Sequence, residues 1–265
     1  MARLRAATFN VNSIRSRLHI LERWLPGSGV DLLFLQETKV MDEEFPVEPI
    51  AALGYRACSC GEKSYNGVAV LVKNSFDREV VVSFGFDEGE SDDPELHFPT
   101  RVLILRTEGL TVLNTYVPQG KDITHPDFEV KKEFLDRVRE VIEREMFGPF
   151  LWVGDVNVAP TEIDVTHPEN KKNHVCFCQE IRDRFAQTAE GLTDLLRVYH
   201  PEEGQYTFFD YRVKGALERN IGWRIDLAMA SPSLAERALD CFVDREPRGW
   251  ERPSDHTPLI ADLEV

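Results

Sequence analysis

"FLWVGDVNVAP" occupies residues 150–160. Its first four residues are apolar without alternation, which suits a strand covered on both faces rather than one half-exposed. Asp155 and Asn157 then close the run two residues apart, on one face. Alone, "GDVN" also fits an Asx turn. Runs of the same kind recur in "LRAATFNV" (4–11), "DLLFLQ" (31–36), "GVAVLV" (67–72), "EVVVSF" (79–84), "RVLILR" (101–106), "LTVLNTYV" (110–117), "RIDLAMA" (224–230) and "PLIADLEV" (258–265). Helical period lies between them. Ile14, Leu18, Leu21 and Leu25 form one stripe, with Asn12 or Ser13 able to cap it, and Phe134, Val138, Val141 and Met146 form another. The pattern predicts two packed, mainly antiparallel or mixed β-sheets flanked by helices, an α/β sandwich. With no repeat, low-complexity tract or Gly/Ser linker, residues 1–265 read as a single domain.

The chain has 265 residues, 42% hydrophobic and 29% charged, enough for a large core. No apolar run reaches the length of a membrane span, and residues 1–16 hold no signal-peptide stretch, so a cytoplasmic location without membrane contact is expected. Five cysteines argue against a disulfide framework. Cys58-x-Cys60 and His174-x-Cys176-x-Cys178 lack the CxxC spacing of a zinc knuckle, and buried thiols are the preferred reading. A net charge of −15 opposes a nucleic-acid partner taken alone. Six of the acids, however, fall in "DEGESDDPE" (87–95), read as a solvated loop, whereas "YRVKGALERNIGWR" (211–224) carries four basic residues against one acid and "ENKKNH" adds Lys171 and Lys172. A local basic rim can outweigh the total when charges are screened within roughly 8 Å.

Polar residues at strand ends narrow the chemistry, since open α/β sheets build ligand sites there. Asn10 and Asn12 close the first strand, Glu37 follows the second, Tyr116 precedes a Pro-Gln-Gly turn, and Asp155 and Asn157 end "LWVGDVN". A carboxylate after a strand is more often a cap than a ligand. Asp226, inside the apolar "RIDLAMA", is harder to dismiss, because an unpaired buried charge costs several kcal/mol, roughly. His256 in "RPSDHTPL" (252–259) is its expected partner: a carboxylate on one imidazole nitrogen fixes the ring and leaves the other for substrate. Glu37, Asn12 and Asp255 offer the hard oxygen atoms that Mg²⁺ takes, and Asp155 with Asn157 suits the alignment of a water. This inventory belongs to metal-assisted phosphodiester hydrolysis.

"NVNSIR", "LQETK", "YNGVAV", "NTYVPQG", "GDVNVAP", "YTFFDYR", "GWRID" and "PSDH", in this order from residue 4 to the C-terminus, resemble the exonuclease III family of abasic-site endonucleases, within the endonuclease/exonuclease/phosphatase superfamily. The resemblance implies a four-layer α/β sandwich and a Mg²⁺-dependent DNA repair nuclease, with Mn²⁺ a possible substitute, acting as a monomer on duplex DNA at abasic sites and 3′ ends. It further implies Glu37 as principal metal ligand with Asn12 and Asp255 close to the ion, and Asp155 and Asn157 beside it. Asn10 and Asn157 would orient active-site groups and phosphate oxygens, Tyr116 would bond the scissile phosphate, Asp155 would act on the attacking water, and His256, paired with Asp226, would contact the phosphate as base or as clamp. Phe208, Trp223 and Ile225 would form the pocket for a flipped-out abasic sugar, while Arg212, Lys121, Lys171 and Asn173 would hold the duplex. Phe-Phe stands in "YTFFDYR" where the family often has Trp, which leaves the lesion preference open.

A phosphoesterase acting on lipid or small-molecule phosphates shares this core chemistry. The aromatic and basic stretch from "YTFFDYR" to "GWRID" separates the two readings, because it suits stacking and backbone contacts to a nucleic acid. A binding module without catalysis would not need every one of these slots filled.

Overall fold

The computed structural model describes residues 2–86 and 97–265, so the acidic stretch 87–95 lies outside the described residues. Among the described residues, twelve strands form two six-stranded sheets. The first sheet has the order β11 (Ala238–Val243), β12 (Leu259–Glu264), β1 (Arg3–Asn10), β2 (Leu32–Gln36), β4 (Tyr65–Lys73), β3 (Tyr55–Glu62). The second has β5 (Val80–Phe84), β6 (Val102–Thr107), β7 (Leu110–Tyr116), β8 (Phe150–Asp155), β10 (Asp226–Ala230), β9 (Thr193–Asp194). Each sheet is antiparallel except for its central pair, β1/β2 in one and β7/β8 in the other.

Those parallel pairs need crossovers, and helices supply them. Between β1 and β2 runs α1 (Ile14–Ser28), where Ser13 caps the first turn by accepting from Ser16 N and Gly29 ends the helix in the left-handed conformation at φ 70°. Between β7 and β8 runs α3 (Pro126–Glu145), opened by a proline at its first position. The shorter α2 (Val47–Ala52), α4 (Gln179–Thr188), α5 (Leu195–Tyr199) and α6 (Pro232–Ala235) complete the set.

Three apolar layers hold the sandwich together. Leu4, Phe34, Val70, Leu103, Val112, Leu151 and Val153 fill the space between the sheets. On the outer side of the first sheet Phe9, Leu33 and Leu71 meet Ile14, Leu21, Trp24 and Leu25 of α1. On the outer side of the second, Ile104, Leu113 and Trp152 meet Phe134, Val138 and Val141 of α3 and Phe185 of α4. Continuous apolar strands are thus explained, since every central residue faces either the other sheet or a helix. One polar seam crosses the inner layer: Gln36 Nε2 donates to Thr8 Oγ1 at 2.9 Å and, across the sheets, to Asn114 Oδ1 at 2.6 Å. Because both parallel pairs point their carboxyl ends the same way and pack against each other, Asn10, Glu37, Tyr116 and Asp155 emerge at one end of the molecule.

Candidate active site

Register aligns the residues of the second sheet. Tyr116 pairs with Asp155 across β7/β8, and Asp155 with Asp226 across β8/β10, so three functional positions lie on one rung. Gly154 makes the approach possible: its φ is 130°, and a Cβ there would stand 2.0 Å from the Thr115 carbonyl. From the first sheet, Asn10 reaches across the sandwich, its Nδ2 donating to Glu37 Oε1 and to Asp155 Oδ2, each at 2.8 Å. Its Oδ1 accepts from Asn12 N at 3.0 Å, and the same local turn recurs where Asp155 Oδ1 accepts from Asn157 N at 3.0 Å. Asn12, Glu37, Lys39 and Asn157 all have φ between 45° and 53°, a left-handed backbone that costs energy without glycine and gathers at functional sites.

The last loop supplies the imidazole. Ser254 donates to Asn10 O at 2.7 Å and accepts from His256 N at 3.2 Å, which ties "PSDH" to the end of β1. His256 Nδ1 lies 2.8 Å from Asp226 Oδ2, and its Nε2 lies 3.8 Å from Asp155 Oδ2. A carboxylate on each ring nitrogen selects the doubly protonated ring. Burial opposes that cation, but Asp226 and Asp155 outweigh it and raise the pKa of His256 to about 10. Burial pushes the Asp155 carboxyl up to about 7, opposed by the His256 cation and reinforced by Asp226 and Glu37. Tyr116 is raised well above the usual phenol, by burial and by the charges of Glu37 and Asp155, and stays a donor.

Among the described residues, one ligand-type atom each of Glu37, Asp155 and His256 lies within 4.8 Å of the others, and with His256 protonated on both nitrogens it is the carboxylates of Glu37 and Asp155 that are free to face an ion. Burial raises the Glu37 carboxyl, but Lys39 and Asn10 outweigh it and lower the pKa, so the group is held ionised. Lys39 Nζ lies 2.6 Å from Glu37 Oε2 and donates to Asn12 Oδ1 at 2.7 Å, a cation already seated against these oxygen atoms. Asn12 Nδ2 donates to Asp255 Oδ1 at 3.0 Å, completing an oxygen-rich group of hard donors.

A cavity of about 530 Å³ opens over the site, lined by Glu37, Tyr116, Asp155, Asn157, Asp255 and His256 together with Phe208, Trp223, Ile225, Lys171, His174, Asp210 and Arg212. Ile225 is buried among Ala159, Val165 and Phe177, whereas Phe208 and Trp223 are half-buried against that cluster. The apolar wall is therefore both packing and surface. The Phe208 ring lies 5.0 Å from that of His256, tilted by 59°, and Lys171 Nζ lies 5.6 Å from the centre of the Trp223 ring. Thr207 Oγ1 accepts from the amides of Ile225 and Asp226, both at 3.2 Å, which fixes the wall to the rung.

The strand-end residues converge, but the residues expected to hold the duplex are dispersed. Arg212 lines the cavity with its guanidinium held by Asp210 at 2.7 Å. Lys121 is paired with Asp127 at 2.8 Å on the first turn of α3, and Asn173 is exposed on its loop; neither is among the lining residues. Sequence reasoning missed Lys39, Thr207 and His174. The sequence pattern presents His174 only as a metal ligand, yet its ring lies 4.6 Å from Trp223 and its Nδ1 accepts from Cys176 N at 3.1 Å. Burial, with Lys171 and Lys131, lowers its pKa to about 4. All five cysteines are free thiols.

A sequence model described as the Endonuclease/Exonuclease/phosphatase family matches residues 7–256. Exodeoxyribonuclease III of Haemophilus influenzae is 35% identical, over 97% of this chain and 98% of that protein. Among solved structures, an AP endonuclease from Archaeoglobus fulgidus superposes with a TM-score of 0.91 at 44% identity, covering 99% of this chain and 100% of the other. A variant of the 3′ phosphatase NExo from Neisseria, bound to a product DNA hairpin, gives 0.90 at 34% identity with the same coverage.

Proposed function

The chain belongs to the Endonuclease/Exonuclease/phosphatase family, and from that premise we propose that it is a DNA repair nuclease that cuts the backbone of duplex DNA 5′ to abasic sites and trims 3′ ends. In this reading residues 1–265 act as one domain, a cytoplasmic monomer. The observation that carries it is the rung Tyr116–Asp155–Asp226 with His256, brought together with an oxygen-donor group and an apolar wall at one cavity.

Asp155 Oδ2 takes the proton of the attacking water, since a carboxyl near neutrality is matched to that transfer. Asn10 and the Asn157 amide hold the carboxylate in place. Tyr116 donates to a phosphate oxygen, and the His256 cation, fixed by Asp226, stabilises the charge that builds there, a clamp rather than a base. Glu37 would hold the metal ion, with Asn12, Asp255, Asp155 and Asn157 as the further oxygen donors of the group. Their hard oxygen atoms fit such an ion, and the Lys39 ammonium seated against Glu37 and Asn12 supports that reading. Mg²⁺, or Mn²⁺ in its stead, supplies charge neutralisation at the phosphate. Phe208, Trp223 and Ile225 admit a sugar that lacks its base, because extrusion costs least where pairing is already lost. Lys171 and Arg212 meet phosphates, and Lys121 and Asn173 lie further out along the duplex. Contacts of this kind position the backbone without reading bases, which suits a lesion-directed rather than a sequence-directed enzyme.

The test is the metal requirement of cleavage. EDTA should abolish cutting of an abasic duplex, and Glu37→Gln should raise the Mg²⁺ concentration needed by at least about tenfold, the loss expected for weakening one ligand. Undiminished cutting in EDTA would remove the metal from the mechanism.

A further inference from the structure

Lys131 sits on the buried face of α3, fully enclosed, and among the described residues no carboxylate pairs with its ammonium. Its Nζ donates instead to three backbone carbonyls: Asn157 O at 2.7 Å, Val175 O at 2.9 Å and Gln119 O at 3.1 Å. These belong to three separate loops, after β8, between residues 171 and 178, and after β7, and each loop contributes to the cavity wall. The three donors of an ammonium are thereby all used, which is what makes its burial tolerable. A purely structural place on that stripe, between Phe128 and Phe134, would be filled at less cost by leucine or methionine.

Resting on the nuclease reading of the site, we propose that Lys131 is a positioning residue that sets the left-handed backbone of Asn157 and, through it, the aim of Asp155. The chain of contacts is short. Lys131 fixes Asn157 O, the Asn157 amide donates to Asp155 Oδ1 at 3.0 Å, and the Asn157 side chain donates to Val117 O at 3.0 Å beside the Gln119 loop. Asn157 has φ 51°, a conformation that persists only where its surroundings enforce it. Gly120 allows the loops to close on the lysine: a Cβ there would stand 2.9 Å from Val175 Cγ2 and 3.4 Å from Lys131 Cδ.

The test uses the full chain as Lys131→Met, nearly the same shape without donors, and Lys131→Gln, which keeps two donors, with folding checked by thermal melting and near-UV circular dichroism. On an abasic duplex the expected result is a kcat lowered about 10- to 100-fold in Lys131→Met, with KM changed less than about threefold and Lys131→Gln in between, the signature of lost aim rather than lost binding. Combined with Asp155→Asn, Lys131→Met should add almost nothing to the loss from Asp155→Asn alone, because the aim that Lys131 sets is then without effect. A folded Lys131→Met with wild-type kcat, multiplicative losses in the double variant, or failure of both variants to fold would each overturn the inference. Full activity of Asp155→Asn, by contrast, would overturn the reading of the site on which it rests.

Discussion

At the scale of single residues, the state of His256 follows from its neighbours. Asp226 at 2.8 Å and Asp155 at 3.8 Å leave it no unopposed nitrogen, so it works as a fixed cation. Asp226→Asn and His256→Asn should each lower kcat by about 10²- to 10⁴-fold, the range of a positioned acid–base group, and the double variant should be little worse than the worse single one. Steady-state kinetics on the three variants checks this; losses that multiply would separate the two residues. This pair was legible in the sequence because a charge inside "RIDLAMA" demands a partner and "SDH" offers one. Lys131 left a signal too, a lysine on the stripe of Phe128, Phe134, Leu135 and Val138, but a sequence cannot tell a lysine that snorkels outward from one that is enclosed. His174 and Lys39 stand in stretches that the sequence singles out, but nothing there points to their places in the site, which depend on how two loops fold back.

At the scale of elements, the continuous apolar strands and the stripes of α1 and α3 were readable because both of their faces are buried. Strands β3 and β11, with "YRACSCGE" and "ALDCFV", were not, because both are edge strands carrying polar and small residues, and the second is interrupted by Asp240 at a register shift. Helix α4 buries only Ile181, Phe185 and Thr188 and shows too little period to stand out. A buried ion network joins the elements behind the rung. Arg224, two residues before Asp226, meets Asp164 at 2.5 Å and Asp194 at 2.8 Å, and Arg197 of α5 also bonds Asp164. Burial raises the Asp164 carboxyl, but Arg224 and Arg197 outweigh it and hold it below the usual range. A folded-state pKa depressed in this way contributes stability that is present above the unfolded value, near pH 4, and is lost as pH falls through the folded one. Asp164→Asn should cost about 3 kcal/mol at pH 7, for a buried Arg left short of its partner, and should flatten the acid limb of the stability curve below about pH 4. Denaturant titrations from about pH 2 to about pH 7 read both, across the range where carboxylates titrate; an unchanged acid limb would remove Asp164 from the network's charge balance.

For the whole molecule, a net charge of −15 must be reconciled with a polyanionic substrate. Lys171 and Arg212 both line the cavity, Arg212 with its charge shared with Asp210, so attraction is local and rests mainly on Lys171. Lys171→Ala should weaken binding to every duplex sequence alike and reduce the slope of log K against log salt by about 0.9, one phosphate contact. Fluorescence anisotropy from roughly 50 to 200 mM salt measures it; a sequence-selective loss would count against a backbone contact. The sandwich was foreseeable from strand composition, but the meeting of two sheets at one end was not, because it depends on both parallel pairs sharing a direction.

The nuclease reading is tested most directly by the products from a 5′-labelled duplex with one central abasic site, run beside an undamaged duplex, with wild type, Asp155→Asn and folded Trp223→Ala. The account predicts a single Mg²⁺-dependent cut immediately 5′ to the abasic site by wild type, its near-complete loss in Asp155→Asn, and a lower ratio of abasic to undamaged cutting in Trp223→Ala. A wild-type protein that leaves the abasic duplex intact, or an Asp155→Asn variant that cuts it at the wild-type rate, would contradict the account.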